Sequence, residues 1–492
     1  MGRTPNATIA HPNRTMRYTA PLLVGLTYAL GSCRSGGAPV PAADAIVEGR
    51  ATAFVPDTID AGTSVGINRA HWTLRQRDGA PSSAAPRDFW GDIGVLDMAS
   101  AETSARSFDE LTFVLAMKTL MASDPDGAAV AFSALHVNAK DAAVRARARI
   151  GLTMALSWQS NWPALARIGA DPDSAESTDP SAVRASVERW ARALAEVPAP
   201  VIDVPDSPAT LPLRRSVFGT PLILVQINGR PHEFWLDTGA SMTLLSDRVA
   251  KDAGVLLAAP DTLALGVVAG HIPARAVLID SVRFGPMLAR GLSAALVSAN
   301  TLRLDRRQVK GVTESIRIDG VIGMDLLRQL DIVIDAGAET ITIRRPRRDP
   351  RAVRNLYWVG YPVVRLVTSD GRPALFGLDT GAEASFVTTS LLRKMPRTKV
   401  AMRRRTLGGL GTGEITTQWI ARDIALSDGD YAIVLRNVPV APERRWTFVT
   451  FDGVIGSDVA LSSRMHLDFL NGVFDVRRSA AAGTNVNVTI GH

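Results

Sequence analysis

Two stretches of the chain follow one plan, and a chain that carries its plan twice is expected to fold as two related units. Phe234 to Ser246 reads FWLDTGASMTLLS, and Phe376 to Ser390 reads FGLDTGAEASFVTTS. In each, Asp-Thr-Gly closes an apolar run and is followed by small and then apolar residues. The two aspartates, Asp237 and Asp379, stand 142 residues apart. A single Asp-Thr-Gly is an ordinary turn signal. Two in matching surroundings are a stronger constraint.

The repeat extends to both sides of the motif. Ahead of the first aspartate, LILVQINGRPHEFWL predicts a hairpin turning at Asn228-Gly229; ahead of the second, VVRLVTSDGRPALFGL predicts one at Asp370-Gly371. Equally far behind each aspartate comes a glycine in an apolar segment, Gly266 in LALGVVAGH and Gly408 in TLGGLGTGE. Asp-Gly-Val-Ile-Gly-x-Asp then occurs twice, from Asp319 to Asp325 and from Asp452 to Asp458. A short helical pattern, an alternating strand, a turn and a final strand follow each copy.

With these elements in hand, the stretch from Phe218 to Arg478 resembles the retropepsin-like and pepsin-like aspartic proteases, in which each of two related lobes supplies one Asp-Thr-Gly. The resemblance implies an aspartic endopeptidase whose catalytic residues are Asp237 and Asp379, with a water activated between them. Two carboxylates held close cannot both ionise cheaply, so they would share one proton over an acidic working range. Thr238 and Thr380 would brace the opposite loop. Gly239 and Gly381 would leave room beside the carboxylates. Ser241 would orient its aspartate, while its counterpart Glu383 would hold substrate backbone and make the lobes unequal. Gly266 and Gly270 would mark one flap, and Gly408, Gly409, Gly411 and Gly413 the other. Val321-Ile322-Gly323 and Val454-Ile455-Gly456 would pack beside the aspartate loops. Such chemistry calls for no cofactor and no metal, and the seven histidines include no His-Glu-x-x-His to suggest zinc. Because one chain carries both halves, a monomeric active site is expected, with pairing of lobes between two copies as the alternative.

Before this half, the period is helical from Ser107. Ser107 and Glu110 form a capping box ahead of LTFVLAMKTLM, and further helices are expected in AAVAFSALHV, DAAVRARARIGLTMALSW, NWPALARIG and DPSAVRASVERWARALAEV. Alanine-rich faces and Asp-Pro turns make this region tetratricopeptide-like, without a regular repeat length. His136 reads as a packed or surface histidine. In SVGINRAHWTLRQR, further upstream, there is strand character.

The chain begins with Arg3, Arg14 and Arg17 ahead of YTAPLLVGLTYALGS, an apolar run shorter than the ~20 residues of a spanning helix. Leu30-Gly31-Ser32-Cys33 resembles the bacterial lipoprotein cleavage box, which implies lipidation of Cys33, the chain's only cysteine. The expected location is the bacterial cell envelope on the periplasmic side, at the outer membrane in preference to the inner.

The expected organisation is therefore a signal peptide (1–33), a tether and unassigned region (34–106), a helical accessory domain (107–197), a proline-rich linker (198–215), lobe 1 (216–345), lobe 2 (346–478) and a tail (479–492). The fold class is multidomain, α-helical and then mostly β and bilobal. A formal charge of +7 without a basic patch interleaved with aromatics gives no reason to expect nucleic acid. The expected partners are a peptide or protein substrate, a protein docked on the helical domain, and a membrane reached through the lipid. The competing reading is a non-catalytic envelope scaffold that binds extended peptide by strand addition.

Overall fold

The computed structural model describes residues 71–76, 87–169, 181–216, 219–267, 270–307, 313–409, 412–427, 431–446, 449–477 and 479. Cys33 and its signal segment, Gly411 and nearly all of the tail lie outside them.

Seven helices precede the β-rich part among the described residues: α1 (Phe89–Gly94), α2 (Met98–Ser104), α3 (Phe108–Met121), α4 (Pro125–Asn138), α5 (Ala142–Trp158), α6 (Trp162–Gly169) and α7 (Ser181–Ala193). The array thus starts ahead of Ser107, with two short helices in the region left unassigned by sequence. Side chains of Asp88, Asp97, Ser107, Asp124 and Asp141 cap α1 to α5, each accepting from an amide in the first turn. Such caps contribute about 1 kcal/mol each. The Asp-Pro turn has a local cause: Asp124 is the cap and Pro125 occupies the first turn, where a missing N–H costs nothing. At Ser107 the box is completed one residue early, because Glu110 accepts from the Arg106 amide at 2.5 Å. α3, α4 and α5 pack in succession, with Phe113 and Phe132 edge to face at 5.6 Å.

Each lobe is built on the same four strands. In lobe 1 the aspartate-bearing strand Arg230–Leu236 lies between its hairpin partner Pro221–Ile227 and Gly320–Ile322, and the latter neighbours Leu244–Ser246. In lobe 2, Pro373–Leu378 lies between Pro362–Thr368 and Gly453–Ile455, which neighbours Phe386–Thr388. In both, the Val-Ile strand runs parallel to the aspartate strand, with Gly320 opposite Phe234 and Gly453 opposite Phe376. The first hairpin turns in two residues, Asn228 and Gly229, both at positive φ. The second turns more widely, since its strands end at Thr368 and resume at Pro373. Long hairpins follow: Leu256–Val267 with Gly270–Phe284, and Val400–Gly409 with Thr412–Ala421.

A five-stranded sheet joins the lobes, in the order Val473–Arg477, Arg464–Asp468, Asp331–Asp335, Thr340–Arg344 and Ala209–Pro212. Its central pairing sets Asp331–Asp335 of lobe 1 against Arg464–Asp468 of lobe 2. The proline-rich segment is more than a connector: Val201–Asp203, Ala209–Pro212 and Arg214–Arg215 each pair with a strand of the β-rich part. The strand character upstream is realised as His71–Gln76, which pairs antiparallel with Tyr431–Arg436.

The helical array is fastened to both lobes. Arg354 donates to the carbonyls of Met121, Ala122 and Leu470, closing the C-terminal end of α3 onto lobe 2. Trp162 Nε1 donates to Ser293 Oγ at 3.0 Å and Trp190 Nε1 to the Ala264 carbonyl at 2.9 Å, both in lobe 1.

Candidate active site

The strands Arg230–Leu236 and Pro373–Leu378 deliver Asp237 and Asp379 to one point between the lobes. Two hydroxyls fix the approach. Thr380 Oγ1 accepts from the Thr238 amide at 3.0 Å and donates to the Leu236 carbonyl at 2.7 Å. Thr238 Oγ1 reciprocates, accepting from the Thr380 amide at 3.0 Å and donating to the Leu378 carbonyl at 2.9 Å. Each threonine therefore satisfies two backbone groups of the opposite loop at a fully buried position, where an unmet polar group is costly.

Within this frame each carboxyl group lies against the glycine of the opposite loop, Asp379 beside Gly239 and Asp237 beside Gly381. Asp237 Oδ1 accepts from the Gly239 amide at 2.7 Å, and Asp379 Oδ1 from Gly381 at 3.0 Å and Ala382 at 2.9 Å. Burial pushes the Asp237 carboxyl up to about 6, against the opposing pull of amide bonds and of Asp379. The two side chains are 1% and 0% exposed. The glycines are required by space: a Cβ on Gly239 would lie 2.5 Å from Asp379 Cγ, and one on Gly381 would lie 2.4 Å from Asp237 Cγ. The structure brings together Asp237, Thr238, Gly239, Asp379, Thr380 and Gly381.

Other expected residues fare differently. Ser241 Oγ is buried and has no hydrogen-bond partner among the described residues, so backbone amides orient Asp237 in its place. Glu383 follows the second motif in the same loop, half-buried, with its carbonyl 3.3 Å from Ser457 Oγ. Gly266 and Gly270 lie at the end of the first long hairpin, beside the turn, and Gly408 and Gly413 face each other across the second. Gly409 pairs with Thr412 there.

Sequence reasoning missed the residues that hold the loops from behind. Asp325 accepts from the Thr243 amide and hydroxyl, both at 2.9 Å, and Thr243 Oγ1 in turn accepts from the Gly323 amide at 3.3 Å. Lobe 2 repeats this with Asp458 and Ser385: amide at 3.0 Å, hydroxyl at 2.7 Å, and the Gly456 amide on Ser385 Oγ at 2.9 Å. Burial raises both aspartates, Asp458 to about 6. The signal was available, since each Asp ends a repeated Asp-Gly-Val-Ile-Gly-x-Asp and each hydroxyl stands at the same distance behind its Asp-Thr-Gly. Arg328 has no repeat partner to reveal it. It lies buried near Asp325 and donates to Ser160 Oγ at 3.0 Å, next to α5.

Residues 223–326 match the family described as aspartyl protease. Among solved structures, a retropepsin-like aspartic protease from Rickettsia conorii is similar at 16% identity, over 30% of this chain and 91% of that one, with a TM-score of 0.20. An aspartic proteinase from Irpex lacteus is similar at 10% identity over 57% of this chain and 100% of that one, with a TM-score of 0.34. No curated protein matches the chain. The family match relates residues 223–326, and not the rest of the chain, distantly to aspartyl proteases.

Proposed function

We propose that the chain is an aspartic endopeptidase in which Asp237 and Asp379 act as one proton-sharing pair. The observation that carries this reading is a pair of buried carboxyl groups, each set against the glycine of the opposite loop, within a frame of reciprocal threonine bonds. A pair with one proton has both tools that peptide hydrolysis needs. The ionised member takes a proton from water as it attacks the carbonyl, while the protonated member hydrogen-bonds the developing oxyanion and then passes its proton to the leaving amine, so that the pair again holds one proton. Neither member forms a covalent bond to substrate. Apolar residues around both motifs favour extended peptides with hydrophobic side chains.

Digestion of a mixed peptide library at several pH values, by the unchanged chain and by Asp237→Asn, tests the reading. Cleavage products that depend on Asp237 are expected. Products equally abundant with Asp237→Asn would overturn it. The proposed setting is the periplasmic side of a bacterial envelope, with Cys33 carrying the lipid; it rests on residues 1–33 alone.

A further inference from the structure

The strands that carry the aspartates have two apolar sides, and each side belongs to a different cluster. Phe234, Leu236, Leu245, Ala294 and Ile322 belong to the cluster that fills the lobes themselves. Their immediate neighbours Trp235, Leu244, Ala295 and Val321 belong to the cluster that contains the helical array. Lobe 2 divides alike: Phe376, Val387 and Ile455 face inward, while Leu375, Phe386 and Val454 join the helices' cluster. Successive side chains of a strand point to opposite faces, so one face of each aspartate-bearing sheet shares a buried cluster with the helices.

That face is the one the aspartates serve. Asp237 continues the Trp235 side of its strand, and Ala240 and Met242, directly behind the motif, are buried in the helices' cluster as well. Leu263, Leu265, Ala274 and Ala276 of the first long hairpin belong to the same cluster. The cover is held at both ends. On lobe 1 the indoles of Trp162 and Trp190 bond Ser293 and the Ala264 carbonyl, and α7 packs along the hairpin strand Leu256–Val267. On lobe 2, α1 packs against Val449–Phe451, which leads directly into Asp452-Gly453-Val454-Ile455.

From this arrangement we infer that the helical array is a built-in cover of the substrate cleft, which keeps the chain self-blocked until the array is displaced from lobe 1. The inference rests on the endopeptidase reading for what is blocked, but its geometry is independent of catalysis. An extended peptide crossing the two aspartates would need the apolar face that is now buried in the helices' cluster. Opening by a minor population would set the rate of any event at that surface, and weakening the ties would raise that population.

The test uses the full chain with Trp162→Phe and Trp190→Phe combined, which keeps aromatic bulk and removes both indole donors. The first readout is maleimide labelling of Met242→Cys in a chain with Cys33→Ser. Labelling is expected to be slow without the tryptophan changes and about tenfold faster with them; two lost bonds of typical strength suffice for a change of that order. The second readout is peptide hydrolysis without the Met242 substitution, where kcat/KM should rise by a similar factor and vanish with Asp237→Asn. Labelling that is fast from the start, or unaltered by the tryptophan changes in a chain with native circular dichroism, overturns the cover whatever the hydrolysis. Accelerated labelling without Asp237-dependent hydrolysis leaves the cover standing and removes the endopeptidase reading. If the paired changes unfold the array, the single Trp162→Phe chain decides by the same labelling ratio.

Discussion

A carboxyl group removed from water holds its proton more tightly, and Asp237 is held this way while facing a second carboxyl group. On the proton-sharing reading the pair titrates as a unit. Hydrolysis should therefore follow a bell against pH, with its basic limb near pH 6, where the shared proton leaves. Steady-state cleavage of one fluorogenic peptide across pH measures it. Asp237→Asn and Asp379→Asn should each lower kcat/KM by roughly a thousandfold or more, and the double variant should lose little further, because residues that act as a unit do not contribute additively. Glu383→Gln should instead shift KM and leave turnover measurable. Gly239→Ala is a steric test. Its Cβ would be 2.5 Å from Asp379 Cγ, so the loops must separate. Activity should fall as far as for Asp379→Asn, and urea unfolding should register a loss of roughly 1–3 kcal/mol from overpacking.

At the scale of elements, the aspartate loop and the short helix behind it form one braced piece in each lobe, through Thr243 with Asp325 and Ser385 with Asp458. Asp458 is raised from 3.8 to about 6 by burial, so the folded chain keeps a proton that the unfolded chain releases. Its contribution to stability is complete below about pH 4 and is lost as pH rises through about 6. Asp458→Asn keeps an acceptor for Ser385 and removes the titration. Urea midpoints measured from pH 4 to pH 7 should accordingly decline less steeply, by a component of roughly 3 kcal/mol. The braces were half legible in sequence. The repeat fixed the positions of the terminal aspartates, and the matched hairpins, Asp-Thr-Gly loops and Val-Ile-Gly strands are all found where the two copies align. What pairing of copies cannot reveal is a residue present once, such as Arg328, or a contact between unlike units, such as Trp190 on Ala264. Composition misled at 198–215, where prolines suggested a linker: short strands tolerate proline at sheet edges and ends, and three form there.

Over the whole molecule, the question is whether the lobes complete each other within one chain. Thr238 and Thr380 bond across a single chain, and the joining sheet takes strands from both lobes and from the segment that precedes them. Pairing lobe 1 with its copy in a second molecule would require breaking the four threonine bonds and the ladder from Asp331–Asp335 to Arg464–Asp468. The two arrangements predict opposite behaviour of single variants. If like lobes paired between copies, Asp379→Asn would leave an intact Asp237 pair and retain activity; with a site inside one chain, it leaves none. Mixing also separates this from exchange of unlike lobes between two copies. There, Asp237→Asn and Asp379→Asn chains unfolded and refolded together would form one intact site in each mixed pair. With the site inside one chain, every molecule carries one defect and no activity returns. We expect no recovery on co-refolding, with kcat/KM of the unchanged chain independent of its concentration and sedimentation at the monomer mass. Recovery of about a quarter of the activity in the refolded mixture would place the pair between molecules.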